Sequence, residues 1–336
     1  MKRMNIVSRH SITYALAGIL FLAGCGQSAP VDTTPEAPAT ESVTQPAEVA
    51  QPTVSYLGPE GTYTQEACTL FFNGEGTYLP QADVSASVQA VVDGTSTYAV
   101  IPQENTICGP VAAYLDEVIS HEGLSVVGEV ELPINQNLLA KPGTQLADIK
   151  RVYSHKQGLA QGKAWLAENL PNAELVEVSS TAEGARMAAE EQDEPCAAIG
   201  AAAAADVYGL EVLAPGIQMS DTNKTRFYVL SLEEPAREAS DRMAFVATGA
   251  AEGLPKLLTA IDEQGLTIVA LHDRPQKTEL GHYAFLIECT GGGYEQFAAL
   301  EGSDAFSLRY LGSFPVQQPQ AEAQEAEAEQ QLDQAA

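Results

Sequence analysis

Val54-Ser55-Tyr56-Leu57-Gly58-Pro59-Glu60-Gly61-Thr62-Tyr63-Thr64 is the stretch on which the fold turns. Its first four residues read as a strand. Gly58, Pro59, Glu60 and Gly61 turn the chain. Thr62 and Gln65 have capping-box spacing, which predicts a helix running to about Phe72. A tight glycine turn at a helix start can aim backbone N–H groups at an anion, beside the positive end of the helix. An ordinary strand-to-helix turn is spelled the same way, so this stretch alone names no ligand.

The same alternation extends outward. Residues 98–101 read as a short strand stopped by Pro102, and Val111, Tyr114, Leu115, Val118 and Ile119 mark one face of a helix. Residues 126–130 are another strand. A second block begins near Ile134, with strands at 151–153, 175–178 and 196–199, and helices at 157–169, 182–191 and 201–208. Ser180 and Glu183 repeat the capping-box spacing before the second of these helices. Residues 226–231 return as a strand. This order predicts an α/β architecture with largely parallel sheets. After a polar hinge at 233–241 the pattern becomes βαββαβ, the small α+β sandwich of ferredoxin type.

The chain has 336 residues, enough for about two domains. It carries 45 acidic residues against 17 basic ones. That balance argues against nucleic-acid binding, which needs a basic footprint, and against charge-driven attachment to an anionic membrane. The opening reads as an export signal. Lys2, Arg3, Arg9 and His10 precede an apolar stretch at 12–23, too short for a transmembrane helix. Leu22-Ala23-Gly24-Cys25 resembles the bacterial lipobox, in which the cysteine is lipidated and heads the mature chain; an uncleaved anchor is the alternative. Residues 1–24 are thus expected to be a lipoprotein signal peptide, 25–53 a disordered tether and 315–336 a disordered acidic tail rich in Gln and Ala. The folded region is expected on the extracytoplasmic face of the cell membrane. Cys68, Cys108, Cys196 and Cys289 include no CxxC pair, so no zinc site is expected. They read as free buried thiols, and their spacing leaves any disulfide pairing open.

Four segments, in order, carry a family resemblance. The first is the 56–64 turn with Ala67. The second is Pro102-Gln103-Glu104-Asn105-Thr106, then Gly109 and Val111. The third is Tyr153-Ser154-His155-Lys156-Gln157-Gly158-Leu159-Ala160-Gln161, with Ser180-Thr181-Ala182 beyond it. The fourth is Asn223-Lys224-Thr225-Arg226-Phe227. Together they resemble prephenate dehydratase. The resemblance implies a two-lobed catalytic domain over 54–232, like type II periplasmic binding proteins, with lobes of 54–133 plus 214–232 and of 134–213. A ferredoxin-like ACT domain over 240–314 follows. It implies conversion of prephenate to phenylpyruvate with no cofactor or metal, and a homo-oligomer.

By the same resemblance Thr225 acts on the leaving hydroxyl, with Asn105, Ser154 and Gln161 as catalytic partners. Arg226 offers a fork for a carboxylate, or an ion pair holding the lobes, and Phe227 is core. Gly61, Thr62, Glu104, Ser180 and Thr181 are the remaining substrate-binding candidates; Ser180-Thr181 also suits a plain helix cap. His155 reads as structural at a strand end, with an acid role as the alternative. Lys156 and Gly158 stand where the family usually has Pro and Ala. The family's phenylalanine signature survives in part, as Gly253 and Leu254 after Glu252, and as Arg274 and Pro275 after His272-Asp273. Thr267 stands where Asn is usual. Phenylalanine feedback is therefore expected to be weak or absent. The competing reading is an extracytoplasmic solute-binding lipoprotein for an aromatic or carboxylate ligand, which would not need the leaving-group donor.

Overall fold

A computed structural model describes residues 51–301 and 306–319. The expected signal peptide, Cys25, nearly all of the tether and most of the acidic tail lie outside those residues. No helix among the described residues is long and apolar enough to cross a membrane.

Three sheets organise the chain. The first runs in the order Val316–Gln317, Ser125–Pro133, Lys224–Ser231, Tyr98–Asn105, Thr53–Leu57, Thr77–Gln81, with Gly109–Pro110 pairing off Tyr98–Asn105. The second runs Glu211–Ala214, Asn137–Ala140, Cys196–Gly200, Arg151–Ser154, Glu174–Glu177. The two-lobed α/β class is as expected, but the sheets are mixed rather than largely parallel. Lys224–Ser231 is antiparallel to both of its main neighbours. The reason is the crossover. Ser125–Pro133 leaves the first sheet toward the second, and Lys224–Ser231 comes back through the same opening. A strand that exits and one that returns by one doorway must run in opposite directions. The same logic makes Glu211–Ala214, the last strand of the second sheet before the return, antiparallel to Asn137–Ala140, the first strand to enter it.

Some elements carry signals weaker than the motifs. Thr77–Gln81 contains Pro80 and sits at a sheet edge, where a missing N–H costs no ladder bond. The helix Val84–Val92 is capped by Asp83, whose carboxylate accepts from Ala86 N at 2.7 Å. The single helix expected at 157–169 is two, Lys156–Gln161 and Lys163–Asn169, joined at Gly162.

The first sheet is buried on both faces. Val54, Tyr56, Val100, Val130, Phe227 and Val229 pack with Ala67 and Cys68 of the helix Tyr63–Phe71. Ile101, Val126, Tyr228 and Leu230 lie on the opposite face. They pack with the helices Val84–Val92 and Ala112–Ser120, and with Ala244, Val246, Ala284 and Leu286 of the third sheet. Each such side chain contributes about 1.5–3 kcal/mol when fully buried, and a one-residue slip would turn every one to the wrong face. The register of Lys224–Ser231 is thereby fixed, and with it the direction in which Thr225 and Arg226 point.

The third sheet runs Thr267–Pro275, His282–Thr290, Arg242–Ala250, Phe306–Phe314, with every neighbouring pair antiparallel. The helices Leu254–Glu263 and Tyr294–Leu300 cover its outer face over Phe245, Phe285 and Ile287. This is the ferredoxin-like α+β arrangement that the βαββαβ order predicts. Cys68, Cys196 and Cys289 are free and buried, as read from the sequence; Cys108 is free but exposed.

Candidate active site

A cleft of about 580 Å³ opens where the two lobes meet. Its floor begins with two cross-strand neighbours, Asn105 at the end of Tyr98–Asn105 and Thr225 near the start of Lys224–Ser231. Asn105 Oδ1 accepts from the backbone N–H groups of Ile107 and Cys108, at 3.0 and 3.1 Å. Backbone nitrogens only donate, so the other end of this amide is NH₂. Its two hydrogens meet three acceptors, Thr225 Oγ1 at 2.9 Å, Lys224 O at 3.0 Å and Asn223 Oδ1 at 2.8 Å, so one hydrogen is shared. The Thr225 oxygen is thus an acceptor toward Asn105, which leaves its own hydrogen for a ligand. Thr225 is only 9% exposed, and lines the cleft.

Gln161, on the second lobe, also lines the cleft. Its Oε1 accepts from Gln136 Nε2 at 2.9 Å and from Asn223 Nδ2 at 3.1 Å. Gln136 and Asn223 are buried residues of the two crossover segments. A backbone bond from Ile134 N to Asn223 O, at 2.8 Å, ties those segments together.

Among the described residues no lysine or arginine lines the cleft. What faces an anion instead is a set of helix starts. Helices beginning at Tyr63, Ala112, Lys156 and Thr181 bring Thr62, Tyr63, Val111, His155, Gln157, Ser180 and Thr181 to the wall. Their free N–H groups and partial positive charge favour carboxylates. Thr62 makes no side-chain cap; its hydroxyl donates to Pro59 O, and Gln65 Oε1 accepts from Gly61 N rather than closing the expected capping box. Ser180 does cap, accepting from Glu183 N at 3.0 Å, while the Glu183 carboxylate turns to Arg186, which holds it below the usual carboxylate range. His155 caps its helix through Nδ1, 3.3 Å from Gln157 N.

Four expected site residues stand elsewhere. Arg226 does not line the cleft. Strand alternation turns it to the opposite face, where it forks onto Glu129 at 2.9 and 2.7 Å and reaches Glu288 of the third sheet. The ion-pair alternative describes it better than the substrate fork, although the pairing runs to the third sheet and not to the second lobe. Glu104, its cross-strand partner, lies 3.5 Å from Arg226 Nη1 on that same face. Ser154 is fully buried and donates to Ile199 O at 2.8 Å, so its hydroxyl braces the second sheet beneath the cleft. Gly61 adopts φ +80° and packs against the second lobe; a Cβ there would sit 3.1 Å from Ala204. The sequence reading missed Gln136, Gln157 and Cys108 as wall residues, and Asn223 as more than part of a motif. Three successive amides, Asn135-Gln136-Asn137, between apolar Ile134 and Leu138 were the available signal for the first.

Behind the floor lies a dense ionic layer. Besides Arg226, Glu288 takes Gln103 Nε2 at 3.0 Å and Tyr228 OH at 2.5 Å, with Arg242 Nε 3.3 Å away. Glu129 and Glu288 are fully buried. Burial pushes the Glu129 carboxyl up to about 7, against the pull of Arg226 and with a further push from Glu288.

Fold and cleft together define a two-lobed α/β enzyme with a neutral, donor-rich site for a small anion. The sequence pattern described as prephenate dehydratase matches residues 54–235. The bifunctional chorismate mutase/prephenate dehydratase of Neisseria gonorrhoeae is 36% identical over 270 residues, covering 79% of this chain and 74% of that one. The prephenate dehydratase of Mycolicibacterium gilvum is 34% identical over 288 residues, covering 79% and 91%. The crystal structure of a prephenate dehydratase in complex with L-Phe from Arthrobacter aurescens matches with a TM-score of 0.70 and 31% identity, over 78% of this chain and 90% of that one. The chain belongs to the prephenate dehydratase family. Its activity is that of a lyase, the decarboxylative dehydration of prephenate to phenylpyruvate in phenylalanine biosynthesis.

Proposed function

We propose that Thr225 carries the dehydration as a hydrogen-bond donor to the departing hydroxyl. The observation behind this is the bond from Asn105 Nδ2 to Thr225 Oγ1, which commits the threonine oxygen and frees its hydrogen for the substrate. The ring carboxylate leaves as carbon dioxide, and its bonding pair enters the ring. The ring carbon–oxygen bond breaks as the ring becomes aromatic. The departing oxygen leaves as hydroxide with the electrons of that bond; a cleft water that protonates it becomes hydroxide in turn and passes that charge to solvent, so the dianion yields carbon dioxide, phenylpyruvate monoanion and one hydroxide. A threonine hydroxyl is a weak acid, so its part is to stabilise charge building on the oxygen. Ser180, Thr181 and Gln161 hold the carboxylates with the helix starts, the one after Thr62 among them, and Asn105 orients Thr225. Ser154, Gly61, Glu104 and Arg226 support these groups from behind.

The protein works, on this reading, as a lipoprotein held by Cys25 at the extracytoplasmic face, and the family resemblance supports a homo-oligomer. The ferredoxin-like domain is ACT-like, with phenylalanine binding weak or absent. Arg274 is held by Asp116 through two bonds of 2.6 Å, and His272 lies 2.5 Å from the Tyr114 hydroxyl, so this turn is engaged with the helix Ala112–Ser120. Gly253 and Leu254 do not share the hollow that Arg274 and Pro275 line. The test is to mix purified mature protein with prephenate, read phenylpyruvate absorbance, and titrate the same preparation with phenylalanine by calorimetry. Turnover is expected with no micromolar phenylalanine binding. A protein that binds prephenate without turning it over would return the solute-binding reading to first place, and micromolar phenylalanine binding would end the claim of lost feedback.

A further inference from the structure

Four amides run in series across the cleft. The first is anchored, because Asn105 Oδ1 takes two backbone N–H groups. Asn105 therefore offers N–H to residue 223, and the atom of Asn223 that meets it, 2.8 Å away, must be its oxygen. That forces Asn223 Nδ2 toward Gln161, whose facing atom must in turn be Oε1. Gln136 meets the same oxygen and must do so with Nε2. Two consequences reach the substrate. Gln161 is left to present its NH₂, which has no partner among the described residues. Gln136 Oε1 is left buried and without a hydrogen bond, in a side chain that lines the cleft. A buried orphan acceptor calls for a donor from a ligand or a bound water.

We propose that Asn223 is a positioning residue for the dehydration: it sets the polarity of the cleft, so that Gln161 faces the substrate with N–H and Gln136 with C=O. Asn223 touches no reacting atom. It passes the direction fixed by the Ile107 and Cys108 backbone in one lobe to Gln161 in the other. A dianion with few cations to meet depends on such neutral donors pointing the right way. A reversed Gln161 would set a carbonyl oxygen against a carboxylate. This inference rests on the dehydratase reading above.

The test compares Asn223→Asp with Asn223→Ala in the full chain, by steady-state kinetics with prephenate. Aspartate is nearly isosteric and keeps the bond from Asn105, but offers no N–H to Gln161. Gln161 then turns its own N–H to the introduced carboxylate and its carbonyl to the substrate. Alanine imposes no direction. The expected order of KM is wild type, then Asn223→Ala, then Asn223→Asp, with the last raised ~10-fold or more and kcat within about threefold. A residue that merely packs would give the opposite order, since truncation would hurt more than an isostere. Plain charge repulsion would give the same order, and salt screens it only weakly at so buried a position; Gln161→Met, which removes the presented N–H without adding a charge, is therefore expected to raise KM as well. An Asn223→Asp enzyme no worse than Asn223→Ala, or a Gln161→Met enzyme with unchanged KM, overturns the proposal. Should Asn223→Asp fail to fold, Gln161→Glu keeps both bonds that Gln161 accepts and replaces the presented N–H with a carboxylate oxygen; an unchanged KM in that variant overturns it equally. Wrong ordering with normal wild-type turnover sinks this inference alone, whereas an inactive wild type removes the dehydratase reading and this one with it.

Discussion

Thr225 and Arg226 are adjacent in the chain and face opposite ways. The face that holds Thr225 is amide-rich and open to ligand, and among the described residues it carries no lysine or arginine. The face that holds Arg226 is dry and crowded with charge: Glu129, Glu288, Glu104 and, through Glu288, Arg242. The contrast teaches that one contiguous motif can serve two sites. The substrate is an anion, yet the motif's cation is spent on joining the third sheet to the catalytic strand. On the proposed reading, carboxylate recognition falls to hydroxyls, amides and helix starts.

The sharpest test of this division is to remove each neighbour in turn. Thr225→Ala is expected to lower kcat by ~10²–10³-fold with little change in melting temperature. Arg226→Met is expected to do the reverse in kind. It strands the buried Glu129 carboxyl, leaves Glu288 to Arg242, Gln103 and Tyr228, and costs about 3–5 kcal/mol of stability in denaturant melts. A variant at 226 that melts normally but loses prephenate affinity would break the comparison.

A smaller effect sharpens it through pH. The Glu129 carboxyl is raised from 4.5 to about 7, so folding favours its protonated form. Its contribution to stability is fully present below about 4.5 and is lost as pH rises through about 7. Glu129→Gln is expected to flatten the melting temperature over that window, with no matching change in the Thr225 chemistry. A slope that survives the substitution would assign the titration to another group.

The smallest effect concerns Ser154, a catalytic candidate whose buried hydroxyl is bonded to Ile199 O. Ser154→Ala is expected to keep kcat and to lose about 1 kcal/mol, the worth of its bond to Ile199 O. Gly158→Ala alone would put a Cβ 2.4 Å from Ser154 Oγ. In the Ser154→Ala background that clash disappears, so the two substitutions together are expected to be milder than the sum of each alone. A large kcat loss in Ser154→Ala would restore the serine to the mechanism.

Much of this was legible in residue order. The helix start at Thr181, the return strand and the βαββαβ tail all follow from periodicity and caps, and the motifs pointed to Asn105, Gln161 and Thr225. What residue order does not carry is which face of a strand a second domain will cover. Alternation says that Thr225 and Arg226 diverge, but only the third sheet decides that Arg226 is on the covered side. The register shift between Arg226 and Phe227, opposite the extra residue Gln103, is likewise a pairing property that neither strand spells by itself. Gln136 and Asn223 fell in crossover segments, which have no period to read.

The relay also has a bearing on turnover. Asn105 and Gln161 belong to different lobes, and the links between them sit on the two connecting segments. Parting the lobes would stretch these bonds first, leaving each amide free to rotate. An opened cleft would then hold carboxylates poorly, so the act of gaping would itself eject phenylpyruvate without any dedicated gate.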